Sequence, residues 1–207
     1  MRVLELFSGT GSVGTVCRRL GCTVASLDRD MPADIRTDIL DWDYHALPRD
    51  SFDVIWASPP CAEYSVTKIV GARKLEEANA IVRRTLDVVQ YFNPTYWMME
   101  NPQTGLLTSQ SVVAYLTYND LDYCKYGMPY RKRTRLWNNI EAWTPRPLCK
   151  KDCGHTSGNR HEQSAQQSPQ RHLLSVRRRY LTRELYKVPE ALIEELVGLL
   201  LQPALPA

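Results

Sequence analysis

A glycine-rich turn close to the start of the chain constrains the fold most. Residues 4–14 read LELFSGTGSVG, an apolar run that breaks into glycines with the spacing G-x-G-x-x-G. A turn of this kind joins a buried strand to a helix, and its glycines let the backbone approach a ligand closely. It therefore predicts an α/β fold with a ligand at the turn. The glycines alone do not identify that ligand, and a purely structural turn is the alternative.

Apolar runs and helical patterns alternate along the chain, which supports that fold. Strand-like apolar runs cover residues 2–7, 23–28, 52–58, 95–100 and 133–139. Helical patterns cover residues 12–21, 74–92, 111–116 and 188–203. This alternation predicts a Rossmann-like, doubly wound α/β sheet, whose ligands bind at the carboxyl ends of its strands. Gly9, Asp28, Cys61 and Glu100 all lie at such predicted ends.

The charges and the cysteines favour an intracellular protein that binds phosphates. The net charge is only +3, but basic residues concentrate in YRKRTR (130–135), CKKDC (149–153) and RRRY (177–180). Such clusters can bind phosphates even where the net charge is small. The six cysteines follow no signal peptide, and no apolar run reaches the ~18 residues that span a membrane. We therefore expect free thiols in a reducing compartment.

Two short motifs carry residues suited to covalent chemistry. In SPPCAEYS, two prolines stiffen the turn after a buried strand, and Cys61 follows them directly. In MMENPQTG, Glu100 ends the next strand and could donate a proton while the Cys61 thiolate attacks a substrate. A buried structural cysteine and a helix-capping glutamate are the plain alternatives.

Four motifs occur in the order F-S-G-T-G, P-P-C, E-N-P and R-K-R-T-R-L-W, and this order resembles that of the C5-cytosine methyltransferase family. The resemblance covers residues 1–138 and the last predicted helix. It implies a methyltransferase fold that uses S-adenosylmethionine, with a mixed, mostly parallel sheet. It also implies a catalytic domain over 1–137 plus 188–207 and a reduced target-recognition insertion over 138–187. Within that insertion, 157–172 lacks large apolar residues, which predicts a mobile loop.

The family mechanism implies four catalytic residues in this chain. Cys61 would attack C6 of cytosine as a thiolate, while Glu100 would protonate or hydrogen-bond N3. C5 would then take the methyl group, and loss of the C5 proton would release Cys61. Arg133 and Arg135, which strand alternation places on one face, would steady the base and the thiolate. The cytosine would be flipped out of DNA, because its reacting atom is hidden inside a duplex.

The cofactor residues implied by the resemblance lie within the first sixty residues. Asp28 matches the acid that accepts the ribose hydroxyls, Asp38 and Ile39 match the pair at the adenine, and Pro60 matches the wall behind the methyl donor. The full set expected to bind S-adenosylmethionine is Phe7, Ser8, Gly9, Thr10, Gly11, Asp28, Arg29, Asp38, Ile39 and Pro60.

The second half of the chain predicts contacts with DNA and with a metal. The residues expected to contact DNA phosphates are Arg131, Lys132, Lys150, Lys151, Arg177, Arg178 and Arg179. Zinc ligands are offered by Cys149, Cys153, His155 and His161, and a zinc knuckle could hold an insertion too small to fold alone. Exposed loop residues without a metal are the alternative.

Departures from the family pattern leave other functions open. The insertion over 138–187 is short, as in compact phage and large-virus forms, and predicts a short or relaxed sequence context. Arg131 stands where the family usually has glutamine. The alternatives are C5 methylation of RNA or of a free nucleotide, N4 methylation of cytosine, and a catalytically inactive nucleic-acid-binding module. The expected location is a bacterial cytoplasm, or the nucleus or cytoplasm for a eukaryotic virus.

Overall fold

The computed structural model describes residues 1–165 and 182–202 and contains a seven-stranded sheet flanked by helices. The strands are β1 (Arg2–Leu6), β2 (Thr23–Asp28), β3 (Ile35–Arg36), β4 (Val54–Ala57), β5 (Tyr96–Pro102), β6 (Tyr118–Asp122), β7 (Tyr130–Arg131) and β8 (Arg133–Asn138). The α-helices are α1 (Ser12–Arg19), α2 (Leu75–Phe92), α3 (Thr182–Leu185) and α4 (Glu190–Leu200).

The topology of the large sheet confirms the predicted fold class. Its strand order is β3-β2-β1-β4-β5-β8-β6, and β7 lies outside it. The pairs among the first five strands are parallel, whereas β8 is antiparallel to both β5 and β6. The sheet is therefore mixed and mostly parallel, as a Rossmann-like methyltransferase fold requires.

Alternate side chains of the central strands fill two apolar cores, one on each face of the sheet. Val3 and Val54 pack on the face covered by α1 and α4, whereas Leu4 and Ile55 pack on the face covered by α2. Each of these four side chains is at most 1% exposed. Helices on both faces explain why the strands are apolar at every position rather than at alternate ones.

Two helical predictions differ from the structure in detail. The segment 111–116, predicted as a helix, contains only a 3₁₀ turn over Ser111–Val113, because β6 begins at Tyr118 and leaves too few residues for a stable α-helix. The helix predicted over 188–203 is shorter in the structure, where α4 covers Glu190–Leu200. Leu192, Ile193, Leu196 and Val197 are buried against α1, whereas Leu199 and Leu200 are half-buried.

The segment predicted to be the recognition insertion pairs with itself and with β7. Strand β9 (Thr156–Ser157) forms a hairpin with β10 (Arg160–His161), and β11 (Gln163–Ser164) pairs in parallel with β7. The remainder of the predicted mobile loop lies outside the described residues, so its mobility stays a prediction. Within residues 1–165 and 182–202, every helix is too short or too polar to cross a bilayer.

A buried glutamate on β1 binds the first turn of α1, directly after the glycine turn. Glu5 on β1 is 3% exposed, and its Oε2 accepts a hydrogen bond of 3.0 Å from the backbone N–H of Gly14 at the start of α1. A Cβ at position 14 would lie 2.5 Å from that oxygen, so a larger residue there would displace the Glu5 carboxylate from this hydrogen bond. Burial raises the pKa of Glu5 from 4.5 to about 7.

We expect Glu5→Gln to remove a pH dependence of stability. Between about pH 4.5 and 7 the folded protein keeps the Glu5 proton while the unfolded chain loses it, so wild-type stability falls across this window. The neutral glutamine escapes this loss, so the unfolding free energy of the variant relative to wild type should rise by up to about 3 kcal/mol between pH 5 and pH 8. Urea unfolding at both pH values measures this. Glu76→Gln, an exposed site on α2, is the control, and an equal difference at both pH values would contradict the expectation.

Candidate active site

The predicted catalytic motifs lie at the carboxyl ends of the central strands, at one edge of the sheet. Cys61 follows β4, and Asn101 and Pro102 end β5. Because β8 is antiparallel to β5, with Thr134 opposite Pro102, its first residue, Arg133, lies at that same edge. These residues line a cavity of about 360 Å³, together with Lys132, parts of the 61–74 loop and the insertion residues 164, 165, 185 and 186.

Asn101 joins two of the sequence motifs directly. Its Nδ2 donates a hydrogen bond of 2.9 Å to the carbonyl oxygen of Pro59, and its side chain is 1% exposed. The turn after the prolines is closed by a bond from the Tyr64 N–H to the Cys61 carbonyl, and the Leu106 N–H binds the Tyr64 carbonyl. The Asn101 bond therefore fixes the turn that carries Cys61 relative to the strand that carries Glu100. Sequence reasoning assigned Asn101 no role, although its place in E-N-P was a signal.

The loop that follows Cys61 is tied together at its base and exposed at its tip. The guanidinium of Arg73 donates to the carbonyl oxygens of residues 63, 65 and 68, and Glu63 pairs with Lys68 at 2.6 Å. At the tip, Ile69 and Val70 are 91% and 80% exposed. Glu63 therefore anchors the loop that follows Cys61.

The Cys61 thiol lies in an environment that resists ionisation. Burial raises its pKa, the charge of Glu100 raises it further, and the charge of Lys132 lowers it. Glu100 is buried, and its Oε2 accepts a hydrogen bond of 3.3 Å from the Tyr123 hydroxyl. The structure thus brings the predicted nucleophile and the predicted acid together, and Lys132 is the cation that favours the thiolate.

Two aspartates on β6 hold the predicted catalytic arginines. Asp122, which is fully buried, accepts two hydrogen bonds from Arg133 at 2.8 and 3.1 Å. Asp120 accepts two from Arg135 at 2.8 and 2.9 Å. Sequence analysis missed β6 because Y-N-D-L-D has no apolar alternation. The spacing of the charges could have revealed this strand, because the two aspartates of D-x-D pair across the sheet with the two arginines of R-x-R.

The two arginines stand in different places relative to the cavity. Arg133 lines it. Arg135 is absent from the described lining residues, and its guanidinium lies 3.5 Å from the centre of the Tyr118 ring in addition to its bonds with Asp120. Arg133, rather than Arg135, is therefore the predicted catalytic arginine that lines the same cavity as Cys61.

The predicted cofactor residues surround the glycine turn. Phe7, Gly9 and Gly11 all have positive φ angles (59°, 52° and 68°), which folds the backbone tightly between β1 and α1. Asp28 ends β2, and its Oδ2 accepts a hydrogen bond of 2.8 Å from the Gly9 N–H, while its Oδ1 accepts from the backbone of residues 30 and 31. Ser8 is buried, and no described residue provides a hydrogen-bond partner for its hydroxyl oxygen. Thr10 lies half-exposed in the same turn.

The other predicted cofactor residues lie just beyond β2 and β4. Asp38 pairs with Arg29 at 3.1 Å, so both side chains are held at this edge. Ile39 is buried, and its carbonyl oxygen accepts a hydrogen bond of 3.2 Å from Arg84 on α2. Pro60 is exposed on the turn before Cys61.

The predicted phosphate contacts divide into exposed and inward-facing residues. Arg131, Lys150 and Lys151 are exposed. Arg131 and Lys132 both line the cavity, and Lys132 also donates to the Leu185 carbonyl at 3.3 Å and lies over the Tyr123 ring. The remaining three predicted residues, 177–179, lie outside the described part of the chain.

A cluster of thiols and an imidazole forms at the base of the insertion. The ligand atoms of Cys124, Cys149, Cys153 and His161 all lie within 4.8 Å of one another. Three of these four residues match the predicted metal set. Cys124 is the fourth member, and His155 lies outside the cluster. Cys124 comes from the 3₁₀ turn after β6, and local spacing could not reveal it.

Comparisons with known proteins agree with the motifs. Residues 1–131 match the model of the family described as "C-5 cytosine-specific DNA methylase". The "Probable DNA (cytosine-5)-methyltransferase" of Frog virus 3 (isolate Goorha) is 35% identical over an alignment of 221 positions. The alignment covers 96% of this chain and 100% of that protein. The full-length match to a viral protein accords with the compact form expected from the sequence.

Solved structures with a similar fold are longer than this chain. A candidate DNA modification methyltransferase encoded within an E. coli prophage aligns with a TM-score of 0.49 and 17% identity, covering 72% of this chain and 52% of its own. S. pombe Dnmt2 methyltransferase aligns with a TM-score of 0.46 and 16% identity, covering 70% of this chain and 52% of its own. The chain therefore spans about half of each of these solved chains.

We expect Lys132→Met to make Cys61 less reactive at a given pH. Loss of the positive charge removes the contribution that lowers the pKa of the thiol, so less thiolate forms. Alkylation of Cys61 by iodoacetamide, followed by mass spectrometry from pH 7 to 10, should be roughly threefold slower near pH 8. Lys132→Arg keeps the charge and should restore the rate. Superimposable pH profiles for wild type and the methionine variant would contradict the role given to Lys132.

Proposed function

The chain belongs to the C-5 cytosine-specific DNA methylase family, and we propose that it methylates cytosine in DNA through a covalent bond between Cys61 and a flipped base. The observation that carries this proposal is a single cavity lined by Cys61 and Arg133, with the buried carboxylate of Glu100 beside it. S-adenosylmethionine is the methyl donor that family membership implies.

The glycine turn fits that donor. The buried hydroxyl oxygen of Ser8 has no partner among the described residues and can bind a polar group of the ligand. A carboxylate offers about four acceptor positions, and backbone N–H groups occupy three of those on Asp28, which leaves one for a ribose hydroxyl. Asp38 and Ile39 would border the adenine. When bound here, the donor supplies an electrophilic methyl group.

The residues of the cavity then act on the base. The Cys61 sulfur forms a bond to C6, while Glu100 protonates or hydrogen-bonds N3 and so moves electron density to C5. C5 takes the methyl group and then loses its proton to a base, and the bond to Cys61 breaks. Arg133, fixed by Asp122, is positioned to hold the base during these steps. We assign Arg135 a supporting role, because it lies outside the described cavity lining.

The raised pKa of Cys61 determines when the thiolate can form during the reaction. In the free protein, burial keeps the thiol protonated at neutral pH. Entry of the base, with Lys132 and Arg133 close by, must favour the thiolate before attack can occur. This arrangement protects the nucleophile from modification when no base is bound. An intracellular, reducing location would serve the same end.

The insertion would provide the contacts with DNA. Arg131, Lys150 and Lys151 are exposed and suit phosphate binding, with residues 177–179 as further predicted contacts. Residues 138–187 would read the target sequence. Because sequence discrimination requires several rigid side chains against base edges, so short a segment favours a short or relaxed sequence context.

We expect Cys61→Ser to abolish methyl transfer while S-adenosylmethionine still binds within a few-fold of wild type. Cys61 acts on the base, whereas Ser8, Asp28 and Asp38 lie at the cofactor turn. Mass spectrometry of nucleosides from DNA and RNA incubated with labelled donor measures transfer, and calorimetric titration measures binding. Cys22→Ala, a core thiol remote from the cavity, should remain active. Methylation that persists in the serine variant would favour transfer to N4, and 5-methylcytosine confined to RNA would overturn the proposed substrate.

DNA binding should weaken steeply with salt, because the predicted contacts release counterions from phosphates. For wild type, the affinity for a short duplex should fall by orders of magnitude between ~50 and ~200 mM salt. The double variant Lys150→Gln, Lys151→Gln should show a slope smaller by about two phosphate contacts. Arg49→Gln changes an exposed charge before β4, at the opposite edge of the sheet, and should leave the slope unchanged. A flat salt dependence for wild type would exclude this footprint.

A further inference from the structure

Three cysteines and one histidine converge on one point where the insertion leaves the catalytic part. We infer that Cys124, Cys149, Cys153 and His161 bind a single structural Zn²⁺ ion. Their ligand atoms all lie within 4.8 Å of one another, drawn from three separate segments of chain. Cys124 comes from the 3₁₀ turn after β6, the next two from the turn at 149–153, and His161 from β10.

The distances within the cluster suit tetrahedral coordination. With Zn–S near 2.3 Å and Zn–N near 2.0–2.1 Å, tetrahedral ligands lie about 3.5–3.8 Å apart. The His161 Nε2 atom lies 3.5 Å from the sulfur of Cys149 and 3.4 Å from that of Cys153. The backbone N–H of Lys151 also points at the Cys149 sulfur, at 3.3 Å, which favours a thiolate there. Lys151 adopts a positive φ of 73°, which bends the chain so that both flanking cysteines face inwards.

The donor set identifies the kind of metal site. Three thiolates and one imidazole form a set typical of structural zinc, and four protein ligands leave no position open for a substrate. All six cysteines of the chain are free thiols in the structure, so the cluster holds no disulfide. The short strands β9 and β10 bury little apolar surface, and a metal is the usual means of stabilising such a segment.

The position of the cluster gives the ion a task at the active site. The backbone N–H of Cys149 donates a hydrogen bond of 3.0 Å to Asp122, the aspartate that holds Arg133. His161 is followed within three residues by Ser164, which pairs with Arg131 and lines the cavity. The ion therefore fixes both the support of Arg133 and one cavity wall. This task rests on the proposed function, whereas metal binding itself does not.

Metal content tests the site directly. The full chain is produced without a metal-binding tag in zinc-supplemented medium. Inductively coupled plasma mass spectrometry should then find about one zinc per chain. Cys124→Ser and Cys153→Ser should lose it. His155→Ala is the matched control, because His155 is a neighbouring histidine outside the cluster, and it should keep the metal. Wild type without zinc, or zinc retained in Cys124→Ser, would overturn the assignment.

A measurement on the wild-type chain guards against variants that fail to fold. After exchange of the metal for Co²⁺, tetrahedral thiolate coordination should give intense visible absorption bands, which a chelator removes. Alkylation should reach the cluster thiols only after chelation. Equal reactivity of the cluster thiols with and without chelator would overturn the proposal. Zinc bound at one per chain without methyl transfer would instead contradict the proposed function alone.

Discussion

The buried charge of Asp122 is the interaction on which the active site depends. A fully buried carboxylate is tolerated only when it is paired and hydrogen-bonded, and Asp122 accepts two bonds from Arg133 and one from the Cys149 backbone. It therefore joins three parts that are distant in sequence: strand β6, the arginine strand β8 and the insertion. Loss of this carboxylate would leave the Arg133 charge unpaired and release the insertion from the sheet, so catalysis and recognition share one support.

A second constraint acts on the other side of the cavity, where side-chain N–H groups donate hydrogen bonds to backbone carbonyl oxygens. Asn101 fixes the Pro59 carbonyl, and Arg73 gathers three carbonyls of the following loop. Cys61 therefore stands on a rigid turn, while the loop tip at Ile69 and Val70 projects into solvent. Rigid support directly beside an exposed apolar tip suits the proposed role of Cys61 as a nucleophile that must stay in place.

Strands with apolar residues could be predicted from the sequence, whereas the polar strand β6 could not. β1, β2, β4, β5, β8 and the long helix α2 could all be located from apolar runs. β6 could not, because its aspartates face arginines rather than a core, and neither hydrophobic period detects such a strand. The same cause limited the site. Cys61, Glu100 and Arg133 follow from ordered motifs, but Asp122, Asn101 and Cys124 act through partners that only the folded chain brings near.

The order in which the chain is synthesised determines when the cavity is completed. Residues 182–188 pass along the cavity before α4 docks on α1: the Leu185 carbonyl accepts from Lys132, and the Val188 N–H donates to Ser12. Ribosomal synthesis delivers this segment long after Cys61 and Glu100. A nascent or prematurely terminated chain would thus carry a complete set of reactive groups in an open cavity with the face of α1 uncovered. The cavity wall at residues 185 and 186 and the cover of α1 are therefore among the last parts of the fold to be completed.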